Sequence, residues 1–110
     1  LEEQPFWVIK KDGSRERYDS RKVLAGMLRA CEKRPVSYEI LERAAAEIER
    51  ELRQAATSKE VPSITVGEKV MAGLKQIDEV AYVRFASVYR EFKDIDTFLT
   101  EIQELMKKEH

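Results

Sequence analysis

The stretch Phe6-Trp7-Val8-Ile9-Lys10, followed at once by Asp12-Gly13, limits this chain's possible folds more than any other part of it. Aromatic and β-branched residues favour a pleated surface. Asp-Gly tolerates the positive φ angles of a two-residue type I′ hairpin loop. Residues 14–18 are then the return strand, with Lys11 opposite Ser14, Ile9 opposite Glu16 and Trp7 opposite Tyr18. Because strand side chains alternate between faces, Trp7, Ile9 and Tyr18 are expected together, packed on helices. Phe6, Val8 and Lys10 are expected on the other face with Arg15 and Arg17.

Beyond the hairpin the apolar spacing becomes helical. Asp19 or Ser20 can cap a helix in which Leu24, Met27, Leu28 and Cys31 recur at i, i+3, i+4 and i+7. Pro35 stops it, and Ser37 can cap a second helix whose stripe is Leu41, Ala44, Ala45, Ile48 and Leu52. Residues 54–62 are polar and read as a loop. Thr65-Val66-Gly67-Glu68 matches a capping box, with Val66, Val70, Leu74 and Ile77 following. Asp78 opens a fourth segment, 80–92, rich in β-formers. It has no breaker, and Tyr82, Phe85, Ala86 and Tyr89 keep helical spacing. Asp96 opens a last helix with Phe98, Leu99, Ile102, Leu105 and Met106 apolar. The expected fold is mainly α, of the α+β kind: a small N-terminal hairpin or sheet on a four- to five-helix bundle.

Composition narrows the function classes. A chain of 110 residues fits one domain. With 20 Lys and Arg against 21 Asp and Glu, and a pI near 6.0, this piece is not expected to bind nucleic acid through its overall field. One cysteine allows neither an internal disulfide nor a four-ligand structural zinc site. No apolar run approaches the roughly 18–20 residues of a membrane span, and the acidic N-terminus has no secretory block. The expectation is a cytoplasmic protein. The absence of an initiator Met is read as a trimmed or partial chain. Phosphate-loop, dinucleotide, metalloprotease and hydrolase motifs are missing. Cys31 falls on an apolar stripe and His110 on the last position, so neither is expected to do chemistry. No enzymatic activity and no metal-ligand set are expected.

The remaining chemistry is cationic. Arg21 and Lys22 fall in the first turn of a helix, where the macrodipole disfavours cations by a few tenths to about 1 kcal/mol unless an anion compensates. A helix N-terminus with free N–H groups, helped by Lys10 and Lys11, makes a ready phosphate site. An ordinary solvated hairpin explains the same residues equally simply. Tyr89 reads either as core or as the wall of a purine slot.

The run VIKKDGSRERYDSRK resembles the start of the ATP-cone, a regulatory nucleotide-binding module, and MLRACEKRPV and IDEVAYVRFASVYREFKDI resemble the NrdR family of bacterial repressors of ribonucleotide reductase genes. The resemblance runs from about Phe6 to Leu99. It implies an ATP-cone domain over 6–99, with 1–5 a linker remnant and 100–110 a C-terminal helix and tail. It implies that ATP or dATP is bound between a small sheet and the helices. By motif, Val8 lines the adenine, and Lys10, Lys11 and Lys22 meet phosphates. Asp12 and Gly13 shape the turn, Glu16 and Asp19 hold the ribose, the base or a Mg²⁺, and Ser63 sits near the base. The hairpin parity above agrees for Val8 and Lys10 but puts Lys11 and Glu16 on the opposite face. The family's four-cysteine zinc ribbon is missing from this sequence, so zinc and DNA contact are assigned to that segment of a longer protein. The implied partners are the nucleotide, further copies of the chain and, through the ribbon, DNA. The alternatives are the ATP-cone of a ribonucleotide reductase and a ligand-free helical adaptor.

Overall fold

In a computed structural model of the chain, residues 4–90, 99, 100, 102–104, 106 and 107 are described. The order is β1 (Trp7–Ile9), β2 (Arg15–Arg17), α1 (Ser20–Ala30), α2 (Tyr38–Ala55), β3 (Glu60–Pro62), α3 (Ser63–Ile77) and α4 (Glu79–Tyr89). Leu99, Ile102 and Met106 of the expected last helix lie on helical backbone. Its remaining expected members, Asp96, Phe98 and Leu105, fall outside the described residues, as do Phe92 and His110. The α+β expectation holds.

The hairpin is where the sequence reading fails. Trp7 pairs with Arg17, Val8 with Glu16 and Ile9 with Arg15. The Lys10 N–H donates to the Ser14 carbonyl at 2.9 Å, which closes a three-residue loop instead of two. Gly13 takes the left-handed position (φ 87°), as a type I turn followed by a bulge glycine requires. Asp12 stabilises the loop by accepting from the Ser14 amide at 2.9 Å. A register slip of one residue exchanges the faces of the slipped strand. Phe6 therefore stacks on Tyr18 with ring centroids 4.6 Å apart. The Arg15 guanidinium covers the Trp7 ring instead, at 4.5 Å. The face on the helices carries Phe6, Val8 and Tyr18, all three in or against the core, whereas Trp7 and Ile9 are outside it.

β3 is a strand where a loop was expected. It runs parallel to β1, giving the order β2-β1-β3, and buries Val61. Ser58 and Lys59, at φ 53° and 63°, make the tight turn that brings it in. α3 starts immediately afterwards, so Thr65 lies inside the helix. The position before α3 is Pro62, with no side-chain cap bond, and the expected capping box does not form.

The other helix starts follow the sequence. Asp19 accepts from the Arg21 amide, Ser37 from that of Ile40 and Asp78 from that of Ala81. Met27, Leu41, Leu52 and Leu74 fill the centre of the bundle, each at most 1% exposed. Fully burying side chains of this size contributes about 1.5–3 kcal/mol apiece. Cys31 is part of that core, and burial pushes its thiol pKa up, as expected for an inert residue. Among the described residues no helix is long and apolar enough to cross a membrane.

Candidate functional site

Where the sheet meets the helices, a cavity of about 280 Å³ opens between β1, β2 and the starts of α1 and α3, and α4 forms its far wall. Val8, Glu16, Asp19, Lys22, Ser63 and Tyr89 all line it. The pairing of Val8 with Glu16 puts these two side chains on one face. The three-residue loop therefore removes the parity conflict over Glu16.

Two glycines shape this space. At Gly67, inside α3, a methyl group would overlap the Tyr89 ring. Interior glycine costs a helix about 1 kcal/mol against alanine, and here it lets the phenol end of Tyr89 come close to the helix backbone. Tyr89 is held by Phe85, stacked at 5.9 Å, and donates its hydroxyl to the Ile64 carbonyl at 3.2 Å. Gly26 on α1 faces Phe85 more loosely, and an added methyl there would meet the ring at an ordinary 3.9 Å. Val23, Val66 and Val70 complete an apolar wall. Sequence reasoning missed Gly26, Gly67 and Phe85 as site-forming residues. The signal available was a glycine within each helical stretch.

The polar rim is an ion cluster. One oxygen of Glu16 meets Lys10 Nζ at 3.0 Å, and the other accepts from Lys22 Nζ. The hydrogen bond from Lys22, then that from Lys10, holds the Glu16 carboxyl below the usual carboxylate range, and Glu16 raises the pKa of Lys22. Asp19 is committed to capping α1. The Arg21 backbone and side chain lower its pKa, and Arg21 Nε lies 3.4 Å from it. So the cation in the first turn of α1 does have a compensating anion, within the chain.

Lys10 reaches the rim through Glu16 without lining the cavity itself. With Lys11 it lines a wider, open depression of about 700 Å³ that also includes Ile9, Thr57 and Pro62, and Ser63 borders both spaces. Asp12 and Gly13 form the exposed loop above it, with Asp12 tied to Ser14. Among the described residues no three His, Cys, Asp or Glu side chains gather as metal ligands.

Chemically, the site offers a flat aromatic wall, an apolar floor and lysines at the mouth. That suits a ring system carrying a negative tail. It presents no nucleophile paired with a base.

Comparison with known proteins agrees. The family model for the ATP cone domain matches residues 7–95. The transcriptional repressor NrdR of Geobacillus kaustophilus is 58% identical over 108 residues, covering 98% of this chain and 70% of that protein. Its namesakes from Brevibacillus brevis and Symbiobacterium thermophilum are 56% and 53% identical, over 96% and 97% of the chain and 66% and 71% of their own lengths. These relatives are named as repressors and not as enzymes, in line with the expectation of a non-catalytic protein. The chain belongs to the NrdR family of transcriptional repressors and carries its ATP-cone domain.

Proposed function

We propose that this domain senses adenine nucleotides, ATP or dATP, in the cavity between the hairpin and the starts of α1 and α3. One observation carries the reading. Six of the ten residues expected to contact nucleotide, from β1, β2, α1, α3 and α4, line one cavity. Its volume lies just below the roughly 300–1,000 Å³ of small-molecule pockets. It therefore takes the base and sugar, and leaves the phosphates at its mouth. There Lys10 and Lys22 meet the phosphates, with Lys11 beside them. Val8 and the Tyr89 ring flank the base, and Ser63 is positioned to hydrogen-bond its edge. Mg²⁺ enters with the phosphates, and Glu16 or Asp19 is the carboxylate that can share it.

The two nucleotides differ by one ribose hydroxyl, so the response rests on whatever contacts that group gains or loses. An effector moves a two-state equilibrium only by its differential affinity for the two states. The state that changes is self-association of the domain, and through it the spacing of the DNA-contacting segments of the longer repressor. In that longer protein, zinc and phosphate-backbone attraction belong to a segment outside this chain.

Titration calorimetry with ATP and dATP tests the binding step. Binding at micromolar to sub-millimolar level is expected, about tenfold or more weaker for Lys22→Ala, as for loss of a charge-assisted contact. Absence of heat with both nucleotides would leave a ligand-free helical adaptor. Light scattering with each nucleotide tests the assembly step, and identical masses under all conditions would remove it.

A further inference from the structure

We infer that a groove between α1 and α4, which shares the Phe85 side chain with the base cavity, docks the helix carrying Leu99, Ile102 and Met106 of a second copy of this chain. The inference rests on the self-association proposed above and deepens it by naming the two faces that meet.

The groove has a volume of about 390 Å³ and is lined by Gly26, Arg29 and Ala30 of α1 and by Arg84, Phe85 and Val88 of α4. Its walls are apolar apart from the two arginines, and no carboxylate lines it. Arg84 donates to the Ala30 and Glu32 carbonyls at 3.1 and 2.7 Å, which ties α4 to the end of α1 and fixes the width of the groove. Arg29 is exposed and carries the charge left over at the rim. Val88 is 79% exposed, more than any other large apolar side chain among the described residues. An exposed apolar contact rimmed by charge is the form of a docking surface.

The complementary face lies in the same sequence. Residues 96–106 include three acidic side chains and no basic one. Helical spacing gathers Leu99, Ile102 and Met106 with Phe98 and Leu105 in one apolar stripe, and Glu101 falls at its edge. Such a helix fits a groove that is apolar inside and cationic at the rim. Within one chain the two faces do not cover each other. Leu99 and Met106 are 47% and 55% exposed while Val88 stands open. A second copy supplies both missing halves. Reciprocal exchange fills two grooves with two helices and closes the pair.

The position of the groove also gives nucleotide a route to the interface. Gly26 and Phe85 line both the groove and the base cavity. The Phe85 ring, stacked on Tyr89 at 5.9 Å, therefore answers to a base in one space and to a docked helix in the other. By linkage, whatever change in docking the base produces, docking returns to nucleotide affinity by the same factor.

Sedimentation analysis with ATP and with dATP tests the inference on the unchanged chain, Val88→Glu, Ile102→Asp and Ile40→Glu. Ile40 is 48% exposed on α2, which does not line the groove. Val88→Glu and Ile102→Asp should each weaken self-association about tenfold or more, because each sets a carboxylate in an apolar contact. Ile40→Glu should change it less than about twofold, as for a surface substitution away from the contact. Val88→Glu should also leave the urea midpoint in place, so its effect is not unfolding. A charge exchange locates the contact between chains. Arg29→Glu and Glu101→Arg should each weaken association, and mixing these two chains should restore it, since every groove then faces a helix of opposite charge. The inference is overturned if Val88→Glu or Ile102→Asp associates as the unchanged chain does, which would leave assembly to another face. It is overturned equally if the mixture fails to recover while both changes in one chain do, which would place the helix in its own groove. An unchanged chain that stays monomeric with both nucleotides would remove the assembly reading and this inference together.

Discussion

Two carboxylates, each engaged by basic side chains, show how differently one kind of interaction can be used in this molecule. Asp78 sits between α3 and α4 with its side chain 10% exposed. The Arg34 guanidinium meets it through both Nε, at 3.0 Å, and Nη2, at 3.1 Å, and the Ala81 amide completes its bonding at 2.9 Å. Glu16 is more than three times as exposed and meets two flexible lysines. Asp78 has a planar, two-point partner and caps a helix, so it fixes the loop before α2 against the start of α4. Glu16 has only screened point charges. One pair is shielded from water, the other open to it. Arg84, which donates to the Ala30 and Glu32 carbonyls at 3.1 and 2.7 Å, reinforces the fixed end. The open pair belongs to the hairpin.

The sharpest way to break this contrast is to remove Asp78. Asp78→Ala loses a helix cap and strands Arg34, and should lower unfolding free energy by about 1–3 kcal/mol in urea titration. Gly67→Ala comes next. Overpacking against Tyr89 costs about 1–3 kcal/mol, partly offset by about 1 kcal/mol of helix propensity. It should also weaken ATP binding by displacing the pocket wall, and unchanged calorimetry would show that Tyr89 is no part of it. At the solvent-exposed end, Lys22→Ala should leave the urea midpoint unmoved while weakening ATP. A fall in midpoint as large as that of Asp78→Ala would erase the distinction.

Acid offers a gentler test. The Arg34 guanidinium holds the Asp78 carboxyl below its ordinary value. A depressed folded-state pKa contributes stability that is complete above the unfolded pKa, about 3.9, and is lost as pH falls through the folded value. Stability measured from about pH 6 downwards should therefore drop in acid, and Asp78→Asn should flatten part of that limb. Glu16 is also depressed, by Lys22 and Lys10, yet its exposure makes the slope change in Glu16→Gln the smallest effect predicted here.

What the sequence disclosed depended on how far each signal extended. Helices over 11 to 18 residues repeat their pattern several times, so α1, α2 and α4 and their caps at Asp19, Ser37 and Asp78 were all legible. β3 is three residues long and buries one side chain, Val61, too little for a period to register. Asp-Gly correctly marked a hairpin but not its length. A third loop residue, Lys11, moved Glu16 to the face of Val8. Thr65 matched a capping pattern that the earlier start at Ser63 overrode. In the site, Val8, Lys22 and Tyr89 came from motif and chemistry. Gly67 and Phe85 make sense only once α3 and α4 are packed together, because the need for a missing side chain arises from its neighbour across the interface.

The central claim is that the cavity beneath the hairpin holds the base of an adenine nucleotide. Titrating the isotopically labelled chain with ATP and following its amide and aromatic signals tests this directly. The account predicts the largest shifts at Val8, Val23, Gly67 and the Tyr89 ring, with intermolecular contacts from the base protons to Val8 and Tyr89. Shifts confined to the exposed lysines, with those four positions silent, would contradict it.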